Sequence, residues 1–224
     1  MSPTTHLSAS AVSLGTAEPL AIGHLRQVFA HPRGGDLLVK IMRADAVESR
    51  WGARGRWYKR LPRARHYTGF VRELKEYIAT QARFPAGNAP IARMVGVVET
   101  DLGLGLVSEK VRAADGELAP TLAALYVREN GFSALIEQAL ERFLADLLAC
   151  NVIVGDMHAW NIVYGSDSRG GPRCVLIDGF GEKHFIPRSS MSRTLNAWNT
   201  RKLFRRMREQ LQRLVPLTSD VGGG

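Results

Sequence analysis

The segment Val154-Gly-Asp-Met-His-Ala-Trp-Asn-Ile-Val163 is a polar turn between two short apolar stretches of the chain. Within this turn, Asp156 is followed five positions later by Asn161. A second apolar run, Val175-Leu-Ile, ends on Asp178, and Gly-Phe-Gly follows immediately. Because loops at the ends of strands let side chains from separate segments converge, we expect Asp156, Asn161 and Asp178 to lie together.

Phosphoryl transfer requires this combination of side chains. One carboxylate accepts or orients the proton of the attacking hydroxyl group, and a second carboxylate with an amide oxygen holds Mg²⁺ against the nucleotide phosphates. Asp156 would take the first role, whereas Asn161 and Asp178 would hold the metal. Each motif alone is also typical of an ordinary turn or strand end. Their order and spacing together favour the chemical interpretation.

The same residues resemble motifs of the protein-kinase-like superfamily. The segment 155–161 resembles its catalytic loop in the Gly-Asp-x-His-x-x-Asn form of aminoglycoside-phosphotransferase-like and other small-molecule kinases. Asp178-Gly-Phe-Gly resembles the metal-binding Asp-Phe-Gly motif with one residue inserted. The chain also resembles the YrbL family of bacterial kinase-like proteins, described as part of the PhoP regulatory network. This resemblance spans about residues 20–185 and includes Gly23-His-Leu-Arg-Gln-Val-Phe-Ala-His-Pro, Leu38-Val-Lys-Ile and Arg72-Glu-Leu-Lys-Glu-Tyr.

The resemblance implies an α+β, bilobal protein-kinase-like fold with a small β-rich N-lobe and a truncated, mainly helical C-lobe. It also implies an ATP- and Mg²⁺-dependent phosphotransferase. Lys40, on an apolar strand, would hold the α and β phosphates, as the strand lysine of kinases does. Its carboxylate partner would be Glu73 or Glu76 on the next helix, and Glu73 is preferred because it lies in the matching segment. The backbone of Glu109 and Val111 would form the hinge that meets adenine.

The sequence departs from regulated protein kinases in several places. Gly23, which would cover the phosphates with help from His24 or Arg26, stands without the full G-x-G-x-x-G pattern. Val154-Gly155 replaces the His-Arg pair that precedes the catalytic aspartate, so a phosphorylated activation loop would have no arginine to dock on. We therefore expect regulation and substrate binding unlike those of protein kinases. His158 lies inside the predicted catalytic loop, and by analogy with the family we expect it to brace the loop rather than to act as a catalytic base.

Periodicity and turn residues predict the surrounding elements. We expect two strands around a turn within 20–41, the first where 20–24 lead into 27–30 and the second, short and buried, at 37–41. We also expect a helix over 70–81, strands at 92–99 and 103–111, a helix over 133–149 capped by Ser133, short strands at 152–154, 162–164 and 174–177, and a helix over 194–214. The predicted apolar face of the first helix is Phe70, Leu74, Tyr77, Ile78 and Gln81, that of the second is Ile136, Leu140, Phe143 and Leu147, and that of the last is Leu203, Met207, Leu211 and Leu214.

The predicted organisation is a flexible tail at 1–18, an N-lobe at 19–109 with a basic insert at 43–66, a C-lobe at 110–216, and a flexible tail at 217–224.

Charge indicates anionic partners. The net charge is +9, and the segment Arg50–Lys75 holds nine basic residues against Glu73 alone. A basic surface of this kind suits a nucleotide, an anionic small-molecule or sugar acceptor, or nucleic acid, but it is also common on solvated surfaces. Because the cluster has no nucleic-acid-binding signature, a nucleic-acid-binding protein is the least favoured alternative. A kinase-fold ATP-binding regulatory module with little turnover is the stronger one.

Targeting and redox features favour a cytoplasmic protein. The first residues lack a basic n-region and an apolar h-region, and no apolar run is long enough to cross a membrane. Cys150 and Cys174 lie in apolar surroundings without zinc-ligand spacing, so we expect two reduced core thiols.

Overall fold

The computed structural model describes residues 11–51, 65–84, 89–182 and 192–214. Over these residues the chain is a mixed α+β protein with a five-stranded antiparallel sheet, a two-stranded sheet and five α-helices. It divides into two compact units, one formed by 1–67 with 94–109 and the other by 68–93 with 110–224. Within the described ranges, no helix is long and apolar enough to cross a membrane.

The first unit is built around the five-stranded sheet. Its strands are β1 (Ala21–Ile22), β2 (Arg26–His31), β3 (Gly34–Met42), β4 (Met94–Thr100) and β5 (Gly103–Glu109), and helix α1 (Ala44–Trp51) follows β3. The strand order is β1-β2-β3-β5-β4, and each neighbouring pair is antiparallel. Strand β3 is central, so its apolar residues Val39 and Ile41 are buried. Three strands replace the two that were predicted within 20–41, because β1 and β2 are separate, whereas the predicted strands at 37–41, 92–99 and 103–111 are confirmed with small shifts at their ends.

The start of the described chain packs on this sheet. Val12 and Leu14 are buried in the same apolar cluster as Phe29. The carboxylate of Asp101 accepts hydrogen bonds from the backbone N–H of Leu14 at 2.7 Å and of Gly15 at 2.8 Å. These bonds stabilise the ionised form and lower the pKa of Asp101. The predicted tail is therefore wrong for residues 11–15, while residues 1–10 lie outside the described chain.

The second unit contains the remaining elements. They are α2 (Thr68–Arg83), α3 (Leu122–Glu129), α4 (Ala134–Ala149), β6 (Ile162–Asp167), β7 (Gly170–Leu176) and α5 (Arg193–Gln212), with β6 and β7 forming an antiparallel pair. Helix α4 begins after Ser133, whose hydroxyl accepts from the N–H of Ile136. Its predicted apolar face is buried as expected. Helix α3 was not predicted, and Val152–Val154 forms only an isolated bridge between Val154 and Phe180 rather than a strand.

Helix α2 buries a different face from the one that periodicity predicts. Ile78 is 62% exposed, whereas the buried residues are Phe70, Glu73, Glu76 and Thr80. Carboxylates rarely occupy an interior face unless they have partners there, so hydrophobic periodicity points to the wrong side of this helix. Helix α2 groups with the second unit, whereas the predicted N-lobe ran continuously over 19–109.

Three further predictions need adjustment. The insert expected at 43–66 begins with helix α1, and residues 52–64, which carry most of the basic cluster, lie outside the described chain. The buried face of α5 is Asn196, Thr200, Phe204, Met207 and Leu211, so Leu203 and Leu214 are not its core positions.

Cys174 is buried, and burial raises the pKa of its thiol to about 12. Cys150 is free but only partly buried.

Candidate active site

The predicted catalytic loop is held by backbone hydrogen bonds to the predicted metal loop. The N–H groups of Gly155 and Asp156 both donate to the carbonyl oxygen of Gly179, at 2.9 Å and 2.8 Å. Farther along, the N–H of Asn161 donates to the carbonyl oxygen of His158 at 2.8 Å and closes a short 3₁₀ turn. These bonds place Asp156 and Asn161 at opposite ends of one tight turn.

Gly179 makes this approach possible. Its φ of +83° lies in the left-handed region that favours glycine. A Cβ at residue 179 would collide with the carbonyl oxygen of Asp156, and it would lie 3.1 Å from both the Cβ of Asp156 and Nδ2 of Asn161. The side chains of Asp156 and Asn161 therefore flank the residue that directly follows Asp178.

Asp178 is fixed by its neighbours in the same loop. Its Oδ1 accepts from the N–H of Gly179 at 2.5 Å. The N–H of Ile177 donates to the carbonyl oxygen of Asn161 at 2.8 Å, which ties the backbone before Asp178 to the end of the catalytic turn. The structure thus brings together the three residues that the sequence singled out.

The donor set suits a magnesium ion that is held together with a nucleotide. Mg²⁺ prefers oxygen ligands and usually takes one or two carboxylates, with phosphate oxygens and water completing its shell. Asp178 offers a carboxylate, and the amide of Asn161 carries an oxygen that a rotation of the side-chain amide can turn toward a metal. The described residues contain no group of three or more His, Cys, Asp or Glu side chains that would form an all-protein metal site.

His158 contacts Asp156, the predicted catalytic residue. Its Nε2 lies 2.9 Å from Oδ1 of Asp156, and its Nδ1 lies 3.2 Å from Oε1 of Gln210 on α5. Since a carboxylate only accepts, the contact with Asp156 places a proton on Nε2. The amide of Gln210 can turn either its oxygen or its NH₂ group toward Nδ1. Sequence reasoning missed Gln210, because no local pattern links it to a loop 52 residues away.

Helix α2 contacts the segment before the predicted catalytic loop and also contacts the predicted metal loop. Oε1 of Glu76 accepts from the N–H of Ile153 at 2.8 Å, just before the catalytic turn. Burial raises the pKa of Glu76, and the hydrogen bond from Ile153 opposes that shift. At the other loop, Gly181 has a φ of +91°, and a Cβ there would lie 2.7 Å from the carbonyl oxygen of Arg72. Glycine is therefore needed for the metal loop to pack on α2.

Glu73 and Lys40 are both removed from solvent. Glu73 on α2 is 0% exposed, and it directly follows Arg72, whose carbonyl lies against Gly181. Lys40 on β3 is 5% exposed. Their pairing stays a prediction, because the two residues belong to different units. The alternative partner, Glu76, already accepts a hydrogen bond from the backbone of Ile153.

The remaining nucleotide contacts also stay predictions. Gly23 forms a tight turn, since its N–H donates to the carbonyl of Arg26 at 2.8 Å and its own carbonyl accepts from Arg43 at 2.9 Å. Glu109 ends β5. Val111 is buried, and its carbonyl accepts from the N–H of Ala119 at 2.9 Å.

Comparison with known proteins identifies the family. A family model described as PhoP regulatory network protein YrbL matches residues 12–212, so the chain belongs to the YrbL family. Over 215 residues it is 25% identical to YrbL of Escherichia coli (strain K12), covering 94% of this chain and 92% of that protein. YrbL of Shigella flexneri gives the same identity and coverage. The resemblance to the YrbL family is thereby confirmed.

Proposed function

We propose that this protein is a phosphotransferase of the protein-kinase-like superfamily that uses ATP and Mg²⁺. The mixed α+β architecture, with an antiparallel sheet in one unit and mainly helices in the other, supports a bilobal kinase-like fold. The observation that carries the proposal is the pairing of Gly155 and Asp156 with the carbonyl of Gly179, because it gathers Asp156, Asn161 and Asp178 at one place.

Each residue then has a defined task. Asp156 accepts or orients the proton of the acceptor hydroxyl, and its side chain is 36% exposed, so an acceptor can reach it. Asp178 and Asn161 hold Mg²⁺, which neutralises charge on the transferring phosphoryl group when it is bound. His158 keeps the carboxylate of Asp156 in one orientation. Orientation of this kind matters because small displacements of a catalytic group are costly in rate.

The nucleotide would be held by residues from both parts of the sequence. Lys40 would anchor the α and β phosphates, with Glu73 as its partner, and Gly23 would cover the phosphates. Backbone groups of Glu109 and Val111 would meet the adenine edge. The basic character of the chain favours an anionic small molecule or sugar as the acceptor.

A binding experiment tests the metal assignment directly. Calorimetric titration with ATP should show Mg²⁺-dependent binding to the wild-type chain, and Asp178→Asn should lose that dependence. Asp156→Ala should keep Mg²⁺-dependent ATP binding but lose phosphate transfer in a screen of metabolites, sugars and proteins. Asp146→Asn is the matched control, because Asp146 lies on α4 with only a 3.9 Å contact to Arg142. Wild-type binding by Asp178→Asn would refute the assignment.

One observation favours a second function, a kinase-fold ATP-binding regulatory module with little turnover. The backbone N–H and C=O of Gly23 are both already hydrogen-bonded to other residues, which leaves that turn with less to offer the phosphates. Mg²⁺-dependent ATP binding without transfer to any acceptor, and without autophosphorylation, would support this alternative. Transfer that disappears in Asp156→Ala would exclude it.

A further inference from the structure

The outward face of helix α5 combines exposed apolar residues with a row of cations. Its buried face is turned toward the core of the second unit. On the opposite side, Leu195 is 52% exposed and Trp198 is 61% exposed. Helical spacing of three and four residues continues this face through Lys202, Arg205, Arg206 and Arg213, and Arg201 flanks it. We call the set from Leu195 to Arg213 on this side the α5 stripe.

The charges of the α5 stripe are not neutralised by the described protein. Arg208, on another side of the helix, pairs with both carboxylate oxygens of Glu137, at 2.6 Å and 3.1 Å. In the part of the chain that the structure describes, no carboxylate pairs with Arg201, Arg205 or Arg206. Glu209 is the single acidic residue in the sequence of α5, and it lies on the same face, three residues after Arg206. The helix therefore presents a strong excess of positive charge outward.

The apolar part of the stripe is joined to the cationic part. Nζ of Lys202 lies 4.9 Å from the centroid of the Trp198 ring, one turn along the helix. Leu195 precedes Trp198 by three residues and lies beside it. Large apolar side chains gain nothing from such exposure in water, whereas tryptophan is favoured at the boundary between lipid headgroups and acyl chains.

We infer that the α5 stripe binds the surface of an anionic lipid bilayer, with the helix lying along the surface. The arginines and Lys202 would meet lipid phosphates, and Trp198 with Leu195 would enter the headgroup region. The straight row of cations on one helix matches a flat, negatively charged surface. Single-stranded nucleic acid is less well matched, because it favours several stacking rings along its path and the stripe offers only the ring of Trp198.

Docking through the α5 stripe would hold the candidate active site close to the bilayer. The side chain of Asn196 donates to the carbonyl of Val152 at 3.0 Å, and Gln210 contacts His158. Helix α5 is thus tied to the catalytic loop at both of its ends. Since a helix with its side chains is about 10 Å thick, the loop would lie roughly one helix diameter from the surface. The binding itself does not depend on the proposed phosphotransferase activity.

Vesicle flotation with the full chain tests this inference. We expect binding to vesicles of phosphatidylcholine and phosphatidylglycerol at low salt, and little binding to phosphatidylcholine alone. The triple variant Arg201→Gln, Arg205→Gln and Arg206→Gln should bind at least about tenfold more weakly, because each surface cation contributes substantially to binding. Trp198→Ala tests the same face without changing its charge, and it should also weaken binding.

A charge-matched control separates a local surface from a general effect of net charge. Lys75→Gln, Arg128→Gln and Arg142→Gln remove the same charge from exposed positions on α2, α3 and α4. This control should keep at least half of the wild-type binding. An equal loss in both triple variants, or equal binding to neutral vesicles, would overturn the inference. Retention of single-stranded RNA that the α5 triple variant abolishes, without vesicle binding, would also overturn it and identify the stripe as a nucleic-acid surface.

Discussion

The turn at Gly23 and the turn at Gly179 both place a glycine where the sequence predicts phosphate or metal binding, but they differ in how strictly they need it. Gly179 has a φ of +83°, and an added Cβ would strike the carbonyl of Asp156. Gly23 has no left-handed φ, and its added Cβ would meet only the carbonyl of Arg26 at 3.5 Å, an ordinary contact. Steric crowding therefore requires glycine at residue 179, whereas the turn at Gly23 tolerates a side chain.

This difference follows from what surrounds each glycine. Gly179 lies between two segments that must approach closely for Asp156 and Asn161 to flank it. Gly23 lies in a short connection between β1 and β2, where only one turn of backbone is involved. Crowding by a second segment makes glycine obligatory, and a strand connection alone does not.

The largest expected effect is that of Gly179→Ala. Left-handed backbone strain together with the collision at Asp156 should destabilise the chain by about 3 kcal/mol or more. Mg²⁺-dependent ATP binding should disappear as well, because the two loops could no longer pair. Chemical denaturation followed by circular dichroism gives the free energy of unfolding.

Gly116→Ala is the matched control for this substitution. Gly116 has a φ of +85°, almost the same as that of Gly179, but no atom lies within 4 Å of an added Cβ. It should therefore show the backbone strain alone, about 1 kcal/mol. If the two variants were equally stable, the crowding at Gly179 would contribute nothing and the contrast with Gly23 would fail.

Substitutions of Glu76 test how strongly helix α2 stabilises the segment that pairs with the loop of Gly179. Glu76→Ala leaves the N–H of Ile153 without its acceptor in a buried setting, which should cost about 2 kcal/mol of unfolding free energy. Glu76→Gln keeps an oxygen acceptor without the buried charge, so at neutral pH it should be as stable as the wild type or more so. Equal losses in both variants would contradict this reading of the hydrogen bond.

The pH dependence of the Glu76 variants has a defined sign. Burial raises the pKa of Glu76 in the folded chain above its ordinary value of 4.5, so the folded state binds the proton more tightly than the unfolded state. The contribution of Glu76 to stability is then largest at acidic pH and falls as pH rises through the folded pKa. The stability of Glu76→Gln relative to the wild type should therefore increase from pH 4 toward neutrality (about pH 7).

Gln210 is expected to affect activity more than stability. Gln210→Leu removes the partner of Nδ1 of His158 at an exposed position, so the unfolding free energy should change by less than about 1 kcal/mol. With less restraint on His158, phosphate transfer should fall severalfold while the Michaelis constant for ATP stays nearly constant. Gln210→Glu can only accept, so it should not restore the rate, because the proton on Nε2 leaves Nδ1 as the acceptor of this contact. Gln212→Leu, on the exposed side of the same helix end, is the control.

The sequence predicted the local parts of this molecule better than their mutual contacts. The helix after Ser133 was predictable, because capping and periodicity act over a few positions. The convergence of Asp156, Asn161 and Asp178 was predictable because both segments are loops at strand ends that resemble kinase-like motifs. The contact between His158 and Gln210 was not predictable, since it joins distant segments whose approach depends on packing.

Helix α2 shows why periodicity can fail at a functional region. The hydrophobic pattern favoured a face containing Ile78, but the buried face contains Glu73 and Glu76. Buried carboxylates are justified by specific partners such as the N–H of Ile153, and a scale based on side-chain hydrophobicity does not include such partners. Residues 11–15 were assigned to a tail for a similar reason, because the hydrogen bonds from Leu14 and Gly15 to Asp101 come from far along the chain.

Gly23→Ala should have the smallest effect on stability of these substitutions, and it tests most directly how the turn at Gly23 differs from the turn at Gly179. Because the added methyl group meets only an ordinary contact at 3.5 Å, the unfolding free energy should change by less than about 0.5 kcal/mol. The N–H of Gly23 is already bound to Arg26, so ATP affinity should also fall by less than about threefold, a change of roughly 0.6 kcal/mol. Since stability would be unchanged, a larger loss of ATP affinity could not come from misfolding. Such a loss would assign the phosphate-covering role to this turn despite its tolerance, whereas an unchanged affinity leaves His24 and Arg26 as the residues to test there.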